Sequence, residues 1–309
     1  MSTTIDIAAA TAFMTAHARV LDRRRFALHQ GRTDAEGVLA ALEGYRNADG
    51  GYGWALEPDL RCERSQPVAA LHAFEVFEEC AVPTARAREL CDWLEAATLP
   101  DGGLPFALPF DGPDAAGSAP FWVEADPSAS SLHMTAELAG AAHRVARHDP
   151  GVRDHPWLAR ATEFCRRRIA ALEGAPPAIE FRFVLDLLDT VHDTHPWAPA
   201  ELARLAAFLP RGGDGAMAVE GGAPGEAMRP LDVAPRPGRP LRSFVDPRAL
   251  AADLDRLAAG QCEDGGWTVD WAPRSPAGAL EWRGHATVRA VALLTAHGRL
   301  PGPGAGSTH

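Results

Sequence analysis

Asn47-Ala48-Asp49-Gly50-Gly51-Tyr52-Gly53-Trp54, Asp101-Gly102-Gly103-Leu104-Pro105-Phe106 and Asp264-Gly265-Gly266-Trp267 are three copies of one short pattern, and Gly213-Asp214-Gly215-Ala216-Met217 is a weaker fourth. The aspartates stand at 49, 101, 214 and 264, leaving gaps of 52, 113 and 50 residues. The long gap is close to two periods and predicts a degenerate unit near residue 157. A recurring period of this size marks a repeat architecture. In each copy glycine supplies a positive φ to reverse the chain, and the aspartate satisfies backbone N–H groups beside it.

Helical periodicity flanks the turns. Val38, Leu39, Leu42 and Tyr45 precede the first, while Val68, Leu71, Phe74 and Phe77 follow it behind the Ser65-Gln66-Pro67 start signal. Leu132, Thr135 and Leu138 follow the second, and Val288, Val291 and Leu294 the last. Further helices are expected at about 5–29, 83–98, 155–173, 178–193, 198–209 and 247–260. The fold class is therefore all-α. Helical hairpins repeated at this period bury their faces on their neighbours, which gives a solenoid or a closed ring.

Composition narrows the function. The chain has 309 residues, 46% of them hydrophobic and 23% charged, and a formal net charge of −11. All 30 basic residues are arginine, with no basic cluster outside helical patterns that also carry acids, so a nucleic-acid partner is not expected. Five cysteines without a Cys-x-x-Cys pair point to neither a disulfide framework nor a cysteine-rich zinc site. Charge order in the first thirty residues is not that of a signal peptide, and no apolar run is long enough to span a membrane. A cytoplasmic location is the expectation. Eight tryptophans against two tyrosines suit the walls of an apolar pocket.

Leu257-x-x-x-Gln261-x-x-x-Gly265-Gly266-Trp267 resembles the Gln-Trp repeat of squalene-cyclase-like proteins, with Arg46 and Thr98 where the other copies would carry Gln. Gly53-Trp54-Ala55-Leu56-Glu57-Pro58-Asp59 and Glu281-Trp282-Arg283-Gly284 look like bacterial prenyltransferase/squalene-oxidase-repeat proteins. The resemblance spans about residues 33 to 298 and implies an α/α toroid of the terpenoid cyclase and protein prenyltransferase type. In such a ring inner helices line a central cavity and outer helices wrap them. One domain over 1–300 and a disordered tail over 301–309 are expected, with the mouth built from 54–66, 121–133, 228–246 and 267–285. The Gly- and Pro-rich stretch 210–246 is expected to be a loop across that mouth.

Class II terpenoid cyclases protonate an alkene with an Asp-x-Asp-Asp acid, and Glu124-Ala125-Asp126-Pro127 is the nearest match here, with Asp126 as acid and Glu124 as its partner. The other reading of Asp126 is a helix N-cap before proline. Glu57, Asp59, Arg61 and Glu63 crowd the connection after the first turn, next to Trp54, as a polar floor or as an ion-paired staple. Glu57 and Asp59 are further catalytic candidates. Trp54, Arg61, Gln66, Trp122, His133 and Asp232 are candidates for substrate binding, with Trp267, Trp271, Glu281, Trp282, Arg283 and His285. Aromatic faces there would stabilise a carbocation or simply fill the joints between repeats. His72 and His133 both fall early in predicted inner helices. Asp186, Asp189 and Asp193 share one helix face and would hold Mg²⁺ if it lined the cavity; Arg182 one turn earlier favours a solvated stripe, so no cofactor is expected.

Together these imply an enzyme that binds an apolar, isoprenoid-type small molecule and uses carboxylate acid catalysis. The alternatives are a carbohydrate-active hydrolase or lyase with paired carboxylates, Glu57 or Asp59 opposite Asp126 or Glu281, and a non-catalytic lipid-binding or interaction module.

Overall fold

A computed structural model describes residues 5–110 and 116–302. From residue 303 onward the expected tail lies outside the described residues. The chain is mostly helical, and among the described residues its strands are two short antiparallel pairs, Leu104–Pro105 with Ser130–Ser131 and Met217–Ala218 with Ala227–Met228. It divides into two compact units, residues 42–208 and residues 1–41 with 209–309.

The unit formed by residues 42–208 is a succession of helical hairpins. Its helices are α4 (Pro67–Cys80), α5 (Ala85–Ala97), α6 (Pro120–Val123), α7 (Leu132–Val145), α8 (Pro150–Arg153), α9 (Pro156–Ala170), α10 (Ala178–Val191) and α11 (Ala198–Ala206). The first three helices of the chain are α1 (Ile7–His17), α2 (Val20–His29) and α3 (Ala35–Leu42). Nearly every residue of α4 and α7 is buried. A helix buried on most of its faces must be enclosed by others, whereas α5 and α9 bury one stripe and expose the rest. In the packed centre α7 lies against both α4 and α10. Arg144 of α7 ties all three together through Glu78 at 2.7 Å and Asp186 at 2.6 Å. Asp186, one of the three aspartates considered for Mg²⁺, is therefore engaged by a buried guanidinium.

The second unit carries α12 (Pro230–Val233), α13 (Pro247–Ala259) and α14 (Pro276–Ala296), and the first two helices of the chain pack against α14. Phe13, Met14, Phe26, Val288, Val291 and Leu294 form its core. Stretch 210–246 has no long helix, as its glycines and prolines require, but it is anchored: Leu231 packs on Leu250 and Leu254 of α13.

The Asp-Gly-Gly turns share one hydrogen-bond pattern. Asp49, Asp101, Asp214 and Asp264 each accept, through Oδ1, the N–H two residues on, at 2.9, 3.1, 3.1 and 3.2 Å. In the three full copies the N–H two residues before the aspartate donates to the carbonyl two residues after it: Asn47 to Gly51, Leu99 to Gly103 and Cys262 to Gly266. The first glycine has φ of +89°, +93° and +92°, close to a helix carbonyl: Glu89 of α5, Arg160 of α9 and Ala9 of α1. The second glycine leaves room for an aromatic ring one turn along that helix, Trp93, Phe164 or Phe13. So α1 serves the last turn as α5 and α9 serve the first two. Gln261 completes this joint: its amide donates to Asp6 O and Gly265 O and accepts from Asp6 N–H, while the Trp267 indole donates to Leu257 O.

Three expectations need correction. Residue 157 lies inside α9, so the degenerate joint falls at 171–177, displaced because α8 lengthens the preceding unit. The helix expected over 5–29 breaks at Ala18 and Arg19, where both backbones turn extended and Arg19 reaches Asp22. The last helix starts early, at Pro276 behind the Ser275 cap, so Glu281, Trp282 and Arg283 lie within α14 rather than before it.

Candidate functional site

After the first turn the chain makes an excursion, residues 52–66, that the turn itself does not need. Gly53 starts it, in a place where a Cβ would sit 2.3 Å from the carbonyls of both Glu63 and Arg64. Trp54 and Ala55 follow with φ of +54° and +56°, left-handed values that cost a non-glycine residue about 1 kcal/mol each. Their N–H groups pair with Glu63 O and Cys62 O, closing the loop on itself. Its tip turns inward: Leu56, Glu57, Pro58, Asp59 and Leu60 are all buried. Loops ordinarily run over the surface, so a loop that buries two carboxylates is held there by specific partners.

For Glu57 the partners are a backbone N–H and a histidine of α4. Glu57 is 5% exposed; its Oε1 accepts the Asp59 N–H at 3.1 Å, and its Oε2 lies 2.7 Å from His72 Nε2. The other ring nitrogen, Nδ1, is 3.0 Å from Glu75 Oε2. Both histidine and its second carboxylate come from α4, one turn apart, so helix geometry fixes that contact. Burial alone disfavours the imidazolium, but the Glu75 carboxylate and the hydrogen bonds to Glu57 and Glu75 outweigh it and hold the His72 pKa up at about 10. A doubly protonated ring there donates to one carboxyl group from each nitrogen. Asp59 is placed by its carbonyl, which accepts from Ala119 N–H, and Arg61 by its N–H to Ser118 Oγ and its guanidinium to Pro58 O. Gln66 is fully buried and its amide exchanges two hydrogen bonds with the Leu108 backbone.

In the same unit the head of α7 carries an aromatic stack. Trp122 stacks on Phe106 at 4.6 Å, Phe106 meets His133 at 5.3 Å, and His133 stacks on Phe183 at 5.2 Å. His133 Nε2 stands 3.4 Å from Glu137 Oε2, a carboxylate buried within α7. The Arg182 guanidinium lies 4.5 Å above Phe183. Flat π faces with a charge beside them suit an apolar or cationic ligand.

Asp126 and Glu124 stand elsewhere. Both are exposed, and Asp126 Oδ1 accepts from Ser128 Oγ and N–H at 2.6 and 2.9 Å. Those bonds hold the Asp126 pKa below the ordinary carboxylate value. An alkene-protonating acid needs the reverse, a dry site that keeps its proton. The N-cap of α7 is Ser131, not Asp126.

Within the second unit Trp271 meets Trp282 edge-on at 4.9 Å, and Trp282 meets His285 at 5.6 Å. His285 Nδ1 lies 3.3 Å from Arg25, which with Arg19 flanks the fully buried Asp22. Burial raises the pKa of that carboxyl, but the two guanidiniums outweigh it and leave it lowered. Arg283 is bidentate to Asp264 at 2.7 and 2.8 Å, so it braces the last turn, with the Phe13 ring 4.5 Å beneath its guanidinium; Trp267 is buried. Asp232 pairs with Arg289 at 2.6 Å, and Glu281 is half-buried on α14.

Sequence reasoning singled out Glu57, Asp59, His72 and His133 but missed Glu75, Glu137 and Phe183. Acids inside a helical pattern read as solvent-facing, and only the identity of their buried neighbours says otherwise.

No family model matches the chain, and no curated protein does. Its fold is similar to that in the crystal structure of a protein from Actinoplanes, with a TM-score of 0.50 over 90% of each chain and 18% identity.

Proposed function

We propose that the chain is a terpenoid-cyclase-like enzyme that binds an apolar, isoprenoid-type substrate and takes up a proton at Glu75, which His72 and Glu57 hold in place. One observation carries this: a buried imidazole on α4 with a carboxylate at each ring nitrogen, one of them, Glu57, brought there by an excursion that the repeat scaffold does not require. A histidine held near pKa 10 is too weak an acid to protonate an alkene. It suits the opposite step. With an allylic isoprenyl diphosphate, the C–O bond breaks, diphosphate leaves to solvent and a carbocation remains. Glu75, the less buried carboxylate, takes a proton from the adjacent carbon, the C–H electron pair becomes the new C=C bond, and the protonated His72 keeps Glu75 oriented. Phe106 and Trp122, stacked at 4.6 Å, supply an aromatic wall for the apolar substrate.

The toroid belongs to the same proposal; the service of α1 to the last turn supports a ring whose end is closed by its beginning. A second reading, a carbohydrate-active hydrolase or lyase, is favoured by the convergence of the Glu57 and Glu75 carboxylates on one ring.

The test offers linear isoprenols and their diphosphates of increasing length to the purified chain and follows products by mass spectrometry. Glu57→Gln and Glu75→Gln should each lower turnover by about 10²-fold or more, with ligand binding retained. Asp126→Asn should turn over like the wild type. A wild-type protein that transforms none of these compounds, or an inactive Asp126→Asn beside active Glu57→Gln, overturns the proposal.

A further inference from the structure

Trp54 presents a large aromatic face to water and is fixed while doing so. Its side chain is part of a residue 52% exposed, yet the indole Nε1 donates to Asn47 Oδ1 at 2.8 Å. Asn47 is itself held, its Nδ2 donating to Glu63 O at 2.9 Å and Ser65 Oγ at 3.0 Å. Ser65 Oγ donates to Asp49 Oδ1 at 2.8 Å, so the platform is braced by the first turn. The backbone beneath it keeps a left-handed φ of +54° at a residue type that disfavours it. Core filling explains none of this, because the ring is not in the core.

Beside the indole lies an open depression of about 590 Å³. Its apolar lining is Trp54, Trp93, Leu108 and Pro109, and its rim bears the exposed Glu63 and Arg64. Three features select the ligand. The single donor of the indole is spent on Asn47, so only the ring face is offered. The rim alternates an acceptor with a donor, which fits hydroxyl groups and repels neither an anion nor a cation cleanly. The depression is open, which suits a ring that keeps one face in water.

We infer that the depression beside Trp54 is a binding subsite for a pyranose ring of a glycan or glycoside. The C–H face of the sugar stacks on the indole, and equatorial hydroxyls meet Glu63 and Arg64. The subsite stands on its own geometry and holds whichever reaction the buried carboxylates perform.

The experiment is saturation-transfer NMR on the full chain with oligosaccharides of glucose in α- and β-linkage, galactose, mannose and N-acetylglucosamine. Transfer to the C–H protons of at least one sugar is expected, with affinity about tenfold weaker in Trp54→Ala, the scale of one aromatic face. Trp54→Gly should lose the sugar as well, without a lower Tm, because glycine accepts the positive φ free of strain. That pairing separates a binding role from a structural one. Absence of transfer to every sugar in the panel, or equal binding by Trp54→Gly, overturns the subsite.

Discussion

The turns at Asp49 and Asp101 are nearly superposable in chemistry, yet the helices they lead into carry different side chains at matching places. Both aspartates accept the N–H two residues on, both turns close with the same backbone bond, and both lean on an aromatic ring of a following helix. Each also bonds a serine hydroxyl just before the next long buried helix, Ser65 before α4 and Ser130 before α7. Counting from those serines, His72 of α4 matches Glu137 of α7. The first reaches Glu57 and Glu75, and the second reaches His133. What repeats is scaffold; what varies at one register position is chemistry.

The glycines break the scaffold half of that comparison most severely. A Cβ on Gly265 would meet Ala9 O at 2.2 Å, at φ of +92°. Gly265→Ala should therefore cost about 4 kcal/mol in urea unfolding of the chain. Gly50 has a similar φ but its nearest atom, Glu89 O, is 3.2 Å away, so Gly50→Ala should cost about 2 kcal/mol. Equal losses at the two sites would remove the close approach of α1 as the distinguishing feature of the last turn.

Stability against pH tests the varying half. The folded His72 pKa of about 10 lies above its ordinary 6.5, so its contribution is complete below 6.5 and is lost as pH rises through about 10. A loss on the order of 5 kcal/mol is expected across that window, shrinking in Glu57→Gln. His143 behaves oppositely. Burial, with His195 and Arg144 nearby, pushes it down to about 3, and its neutral ring lies 2.8 Å from Thr162 Oγ1. Its contribution is present above 6.5 and disappears as pH falls towards about 3, which His143→Gln should blunt. Urea midpoints from pH 4 to 10 read both arms. The smallest effect belongs to Asp126→Asn, where an exposed turn carboxylate should leave the midpoint unmoved.

Much of the scaffold was legible because its causes are local. Asp-Gly-Gly announces a reversed chain without any knowledge of neighbours, and Gln261 with Trp267 announces a braced joint. The degenerate joint was placed near 157 because even spacing was assumed, and the α8 insertion breaks it. Ser275-Pro276 is a start signal as plain as Ser65-Gln66-Pro67, so the early beginning of α14 was available in the residues. The chemistry was only half legible. Glu57 and Asp59 stand out as acids in a loop, and Asp126 stands out for the same reason, yet one pair is buried and the other residue is wet. Burial is a property of the assembled helices, and no spacing of residues reports it. Glu75 shows the converse: it sits in an apolar helix where its partner, one turn away, is the only clue.

The most direct measurement is a ¹⁵N NMR titration of the His72 imidazole in the full chain. A ring wedged between Glu57 and Glu75 should stay doubly protonated from about pH 6 to beyond pH 9, and should lose that proton at lower pH in Glu57→Gln. A His72 that titrates near 6.5 in the wild type, or one unmoved by Glu57→Gln, would contradict the buried ion triad from which the proposed chemistry is built.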